Sequence, residues 1–400
     1  MKIFLYIGDI VGAAGGAERV FCDMANDMVA RGHEVYAVCD DIRSGLPFYP
    51  LDDRVQFINL DGSGQRRRKP LIWKISRPFR FAAPETWDRY IGGPFNERKG
   101  KPLVKLIREV QPDAVITTHI TDYHRMMWKP MLDVPVISMH HCDVKRFEQW
   151  SNTSQEMAKN NTCPHLQVLR RSFIPGIQKI YRGSIHVIPN VVQQVEEKDL
   201  ADLTADKPQK TITMIARLCP EKQQHMLIQA FARLAKNYSE WKVEFYGQPY
   251  GSPNARKYLP KLKNMIASFD LANQVKLMGT TDRPLDVLRK TDIFAFPSSA
   301  EGWGLALTEA MAVGLPCVGL KTASSVNELI VDGTNGFLAD DTSEDLAEKL
   351  KILMDNQDLR IKMGKAGHEM MKQYAPEKVW DQWEELITKV VLQHQQRQAA

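Results

Sequence analysis

Short apolar runs alternate with segments of helical period along most of this sequence, and they do so in two series. In the first half KIFLYIG, EVYAVCD, VQFINL, DAVITTH, VPVISMH and IHVIPN read as strands. Each is too short for a helix of its own and is bounded by turn residues or a helical pattern. The segment AERVFCDMANDMVARG places Val20, Phe21, Met24, Met28 and Val29 on one helical stripe, with Gly32 at its end. In the second half TITMIA, KVEFYG, VKLMG, IFAFPS, PCVGL and GFLA read as strands. Helices such as QHMLIQAFARLAKNY and SEDLAEKLKILMDN lie between them. Parallel strands need a crossover, and crossover helices cover both sheet faces. Two such series in 400 residues predict an α/β chain with two doubly wound domains.

The stretch QQVEEKDLADLTADKPQK is polar and aperiodic, which suits a linker. It places a first domain over residues 1–190 and a second over 191–375. The last segment, 376–400, contains PEKVWDQWEELITKVVLQ. Its Val379, Trp380, Trp383, Leu386, Ile387 and Val390 share a side that has to be buried somewhere.

Composition narrows the class. No apolar run approaches the roughly 18 residues that a membrane helix needs. The opening MKIFLYIGDI is too short an apolar run for a signal peptide and reads as the first strand. Cysteines stand at 22, 39, 142, 163, 219 and 317 with no C-x-x-C, which suggests neither a disulfide framework nor a zinc site. The cytosol is the expected compartment. A net charge of +5 is too mild to imply nucleic acid. Residues 65–108 stand apart, with thirteen Lys and Arg against three acids. Trp73, Phe79, Phe81, Trp87 and Phe95 are interleaved among them. They read either as a long solvated loop or as a surface for an anionic lipid headgroup or a phosphorylated acceptor. No recognition motif accompanies the charge, so nucleic acid is not expected.

The densest chemistry lies in SSAEGWGLALTEAMAVGLPCVG. The strand IFAFPS runs into a loop holding Glu301, Gly302, Trp303 and Gly304. A helical run from Leu305 carries Glu309, ends at Gly314 and has Pro316 beyond it. A helix beginning at the carboxyl end of a parallel strand aims free N–H groups and a positive dipole end at the crevice where ligands bind. Such an end suits a phosphate, and the glycines allow close backbone approach. Glu301 is placed to accept from a hexose hydroxyl and Glu309 from a ribose. The plainer reading has Glu309 complementing the helix N-terminus and Glu301 as a loop-surface acid.

E-G-W-G-x-x-x-x-E-A-x-A-x-G-x-P resembles the E-x7-E motif of retaining glycosyltransferases, specifically glycosyltransferase family 4. GAAGGAERV, HVIPNVV, IARLCPEKQQHMLIQAF and NELIVDGTNGFL resemble further segments of that family, so the similarity covers nearly the whole chain. The resemblance implies the GT-B fold: two Rossmann-like domains facing across a cleft, with the final helix crossing back to the first. It implies transfer of a sugar from a UDP- or GDP-type nucleotide sugar to a glycan acceptor hydroxyl, with configuration retained. A lipopolysaccharide, capsule or other lipid-linked glycan is the acceptor class that the basic aromatic segment favours. It assigns Arg217 and Lys222 to the departing diphosphate, His140 and Glu301 to the donor sugar, and Glu309 to the ribose. Gly16, Met278, Gly302, Trp303, Gly304 and Leu305 join the donor site.

GDIVGAAGGAER enters a helix after the first strand but is not G-x-G-x-x-G. Gly15 and Gly16 admit an acceptor group or a diphosphate near the backbone, or simply make a tight turn. Glu18 either binds acceptor hydroxyls or favours the helix start. His141 stands beside His140, and strand alternation sends the two to opposite sides. No Asp-x-Asp occurs, so neither a metal nor another cofactor is expected; cations and helix ends take that task. TASSVNELI departs from the family, which often has a Gly-Gly before a Pro-Glu there. The rival enzyme is a nucleotide-sugar epimerase on the same fold, and the rival non-enzyme is a sugar-nucleotide sensor.

Overall fold

The computed structural model describes residues 1–64, 93–120, 132–143, 164–249 and 253–399. The chain divides into two compact units, Met1–Asn190 with Val379–Ala400, and Val191–Lys378. Each is built on one parallel sheet.

Unit 1 holds strands β1 (Lys2–Ile7), β2 (Glu34–Cys39), β3 (Gln56–Asn59), β4 (Ala114–Thr117), β5 (Val136–His140), β6 (His165–Val168) and β7 (Ser184–Val187). They lie in the order β3-β2-β1-β4-β5-β6-β7. Both β4 and β5 are buried at every residue, as befits central strands covered on two faces. Helix α1 (Gly16–Ala30) follows β1 and buries Val20, Phe21, Met24, Met28 and Val29. Gly32 ends it in the left-handed region at φ 87, its N–H on the Val29 carbonyl at 3.0 Å.

The stretch 65–108 is only partly the loop read from its composition. Residues 65–92, with Trp73, Phe79, Phe81 and Trp87, lie outside the described residues. Gly93–Val110 is helix α2, which buries Leu103, Val104, Ile107 and Val110. Its cations hid an i, i+1, i+4, i+7 apolar pattern. The C-terminal helix, Pro376–Ala399, belongs to unit 1 from Val379 onward. It buries both tryptophans, Trp380 and Trp383, and Arg31 reaches its Asp381 and Glu384 at 2.8 Å each.

Unit 2 holds β8 (Lys210–Ile215), β9 (Trp241–Tyr246), β10 (Val275–Gly279), β11 (Ile293–Phe296), β12 (Cys317–Leu320) and β13 (Gly336–Ala339), in the order β10-β9-β8-β11-β12-β13. Its main helices are α3 (Gln224–Ala232), α4 (Pro253–Ser268), α5 (Leu305–Ala312), α6 (Ser343–Asp355) and α7 (Gln357–Met371). The helix read over QHMLIQAFARLAKNY stops at Ala232. Bonds from Arg233 to Ala230 and from Leu234 to Phe231 tighten its end towards 3-10 geometry. Thr342 and Asn356 cap α6 and α7 by accepting the Asp345 and Leu359 N–H groups. The polar stretch after Val192 has no strand, but Ala201 N–H bonds the Val313 carbonyl at 2.8 Å and ties it to unit 2. Gly364 of α7 lies so close to Gly314 that a Cβ on it would fall 2.0 Å from the Gly314 carbonyl oxygen.

Candidate active site

In unit 2 the chain leaves β8 on one side for β9 and β10, and β11 returns on the other. The strand order reverses there, and the crevice at the carboxyl ends of such a pair is where open α/β sheets bind ligands. The loop after β8 carries Arg217, Cys219 and the 3-10 turn Pro220–Lys222. Gln223, left-handed at φ 52, then turns the chain into α3. The loop after β11 carries Glu301 to Gly304 and opens α5. Ser299 joins the loops, with its N–H and hydroxyl both on the Glu221 carbonyl at 2.9 and 3.1 Å.

Lys222 and Glu301 form an ion pair, with side chains only 14% and 10% exposed. The Lys222 ammonium also lies 5.7 Å over the Phe296 ring at the end of β11. Sequence reasoning placed both residues in the site; the structure adds that they hold each other. Arg217 is exposed, and its carbonyl accepts the Gln224 amide at 2.9 Å, which fixes the loop beneath it. Gly304 is the N-cap of α5 at φ 88, ψ 57, with no capping side chain, so the first α5 N–H groups lack a side-chain acceptor at the cap. Leu305 is the first helical residue. Glu309 is 6% exposed and lies past the first turn. It therefore does not serve as the dipole-complementing acid of the plainer reading.

Gly302 and Trp303 are buried, and the Trp303 indole meets the Tyr374 ring edge-on at 4.9 Å. The Gly302 carbonyl accepts the Ser325 hydroxyl at 2.8 Å. Ser325 is fully buried at φ 64, ψ −38, and the Val326 N–H bonds the Ser324 carbonyl across it at 2.8 Å. This is a γ-turn of the rare left-sided kind, a conformation costing on the order of 1–3 kcal/mol for a residue with a Cβ. Met278 is 47% exposed on the edge strand β10, at a register shift. Gly247 at φ 145 draws the ends of β8, β9 and β10 together. Its N–H bonds the Gly279 carbonyl at 2.7 Å, and a Cβ there would fall 2.0 Å from the Ala216 oxygen.

Unit 1 has its own reversal between β1 and β4. Gly15 caps α1 and Gly16 begins it. The Glu18 carboxylate folds back over Gly15, where a Cβ would lie 2.2 Å from its Oε2. That is the posture of a capping-box glutamate at the third helical position. Asp41, fully buried at the end of β2, pins the glycine loop by accepting the Ile10 and Val11 N–H groups at 2.9 and 2.8 Å. Burial works to raise its carboxyl, but bonds from Arg43, Val11 and Ile10 outweigh this and hold it below the usual range.

His140, the last residue of β5, is 1% exposed. His119 beyond β4 forms an antiparallel bridge with it. Burial, then the nearby His119 and His141, push the His140 ring down to about 3. His141 falls outside the strand and is pushed down to about 4 by burial and His119. Both rings are neutral near pH 7. His140, Gly15, Gly16 and Glu18 thus belong to unit 1, while Arg217, Lys222, Met278, Glu301 and Glu309 belong to unit 2.

Asp41, His119 and Gly247 were not singled out from the sequence, and Ser325 only as part of the TASSVNELI departure, with no role given to it. His119 ends the strand run DAVITTH and Asp41 directly follows EVYAVCD, which was the available signal. Among the described residues no cluster of three His, Cys, Asp or Glu is arranged to hold a metal ion. No described helix is long and apolar enough to cross a membrane.

Two Rossmann-like sheets, with an E-x7-E loop and helix at the strand reversal of the second, define a GT-B glycosyltransferase. The family models agree: that of glycosyltransferase family 4 matches residues 14–193, and that of glycosyl transferases group 1 matches residues 195–370. The chain belongs to glycosyltransferase family 4. It is 24% identical over 393 residues to an uncharacterized glycosyltransferase of Haemophilus influenzae, covering 96% of this chain and 99% of that one. Crystalline Anabaena HepE with UDP and glucose superposes with a TM-score of 0.71 at 17% identity, over 97% of this chain and 100% of that one. A variant of S. aureus TarM with UDP and alpha-GlcNAc-glycerol superposes at 0.74 with 15% identity, over the same 97% and 100%.

Proposed function

We propose that the chain moves a sugar from a UDP- or GDP-type nucleotide sugar to a hydroxyl of a glycan acceptor, retaining the anomeric configuration. The product belongs to a lipopolysaccharide, capsule or other lipid-linked glycan. The observation that carries this reading is the Lys222–Glu301 pair at the reversal between β8 and β11, beside the open N-terminus of α5. The ligands of HepE and TarM favour a UDP-type donor.

At rest Lys222 neutralises Glu301. A bound diphosphate offers Lys222 two further anionic groups, with Arg217 alongside. Glu301 then turns its acceptor capacity to hydroxyls of the donor sugar, and Glu309 holds the ribose. Backbone at Gly302, Trp303, Gly304 and Leu305 lines the sugar and phosphates, and backbone at Met278 meets the base. The transition state is oxocarbenium-like, with charge growing on the departing diphosphate. Arg217, Lys222 and the α5 N–H groups are fixed charges and dipoles that stabilise it without reorganisation. His140, neutral at working pH, orients the sugar by hydrogen bonding rather than by charge. Gly15, Gly16 and Glu18 serve the acceptor side. These groups supply the positive charge, so transfer proceeds without a metal ion and survives EDTA. Residues 65–108 give the acceptor an anionic-membrane surface; neutralising Arg66, Arg67, Arg68 and Lys69 should then abolish sedimentation with anionic vesicles.

Saturation-transfer NMR with UDP-, GDP- and ADP-sugars tests the core of the reading. One nucleotide sugar should bind the wild type, and Glu309→Ala should weaken it at least tenfold. Binding of none, or binding indifferent to Glu309, would overturn it. Conversion of the donor with no acceptor present would point to an epimerase instead.

A further inference from the structure

We propose that Ser325 is a positioning residue for donor recognition, holding the Gly302–Trp303 peptide in its working orientation; this rests on the function proposed above. Three observations meet at this residue. Its side chain is fully buried, so solvent does not account for a hydroxyl there. Its backbone sits at φ 64, ψ −38, in a γ-turn closed by the Val326 N–H on the Ser324 carbonyl at 2.8 Å. Glycine reaches such a conformation without strain and serine does not, so flexibility alone would place glycine here. Strain of this kind persists only where the surroundings over-determine it. What serine adds is the hydroxyl, and that hydroxyl donates to the Gly302 carbonyl at 2.8 Å.

The consequence follows from peptide planarity. No cis peptide bond occurs among the described residues, so the Gly302 carbonyl and the Trp303 N–H point in opposite directions. With the carbonyl drawn to the buried Ser325, the Trp303 N–H is aimed away from it. Glu301 is one residue upstream and Gly304, the α5 cap, one residue beyond Trp303. The strained turn therefore fixes from beneath the loop that carries the acid paired with Lys222. The Trp303 indole against Tyr374 steadies the same loop at its side chain, but it does not set the peptide direction.

Two substitutions separate this role from plain packing. Ser325→Gly removes the hydroxyl and relieves the turn; Ser325→Ala removes the hydroxyl and keeps the strain. Ser325→Gly should keep a Tm close to wild type and an unchanged acceptor KM, while the donor Kd and KM rise roughly three- to tenfold, the range for one lost hydrogen bond. Ser325→Ala should show the same donor defect with a lower Tm. An unchanged donor KM in Ser325→Gly would overturn the proposal. So would equal rises in donor and acceptor KM with a fall in Tm, which mark general loosening. If the wild type binds no nucleotide sugar, the proposed function fails first, and this role falls with it.

Discussion

Lys222 shows how one side chain serves stability and chemistry at once. Its ammonium neutralises Glu301 where both are largely shielded from water. Removing one member of such a pair leaves the other's charge uncompensated, whereas replacing both by apolar groups is often neutral. Lys222→Ala should therefore destabilise unit 2 by about 1–3 kcal/mol. The double variant Lys222→Met, Glu301→Leu should recover most of that in urea denaturation, while transfer stays lost. His140 makes a pH-dependent prediction. Its folded value of about 3 lies below the ordinary 6.5, so the fold favours the neutral ring. That stability is fully present above pH 6.5 and is lost as the pH falls towards 3, because only the unfolded chain takes up the proton there. The loss should reach a few kcal/mol, and His140→Gln should flatten the slope of unfolding free energy against pH between 6.5 and 4. Asp41 has the same sign but acts lower, losing its contribution as pH falls through the acidic range.

At the scale of elements, period and punctuation made the architecture legible. The strands KIFLYIG and IFAFPS, helix α1 and the E-x7-E helix all announce themselves within a dozen residues. The γ-turn at Ser325, the Asp41 bonds to Ile10 and Val11, and the Lys222–Glu301 pair did not. The Asp41 and Lys222 contacts, and the Ser325 hydroxyl bond to Gly302, join residues distant in sequence, and no local pattern encodes their meeting. Helix α2 was missed because Lys101, Lys105 and Arg108 interrupt its buried apolar residues and made the stretch read by charge rather than by period. Gly364 gives a test at this scale. Glycine inside a helix ordinarily costs roughly 0.5–1 kcal/mol relative to alanine. Here the sign should reverse: a Cβ would fall 2.0 Å from the backbone oxygen of Gly314, which cannot swing aside as a side chain can. Gly364→Ala should destabilise unit 2 by about 1–3 kcal/mol in chemical denaturation.

For the whole molecule, the decisive feature is that the chain passes from unit 1 to unit 2 after Asn190 and returns after Lys378. The two passages are tied within unit 2 by the Val192 N–H on the Tyr374 carbonyl at 2.9 Å. Deleting the chain from Val379 onward should lower the unfolding transition of unit 1, which buries seven apolar side chains of that helix, and spare that of unit 2. Calorimetry of the truncated protein checks this by showing which of two transitions moves. The same return crossing governs the order of events on the ribosome. Domains generally fold as they emerge, the N-terminal one first. Here unit 1, begun first, lacks its last helix until all of unit 2 has been translated. The nascent chain thus carries an unfinished apolar surface through the synthesis of Val191–Lys378. Chaperone demand during translation should fall on unit 1 rather than on unit 2.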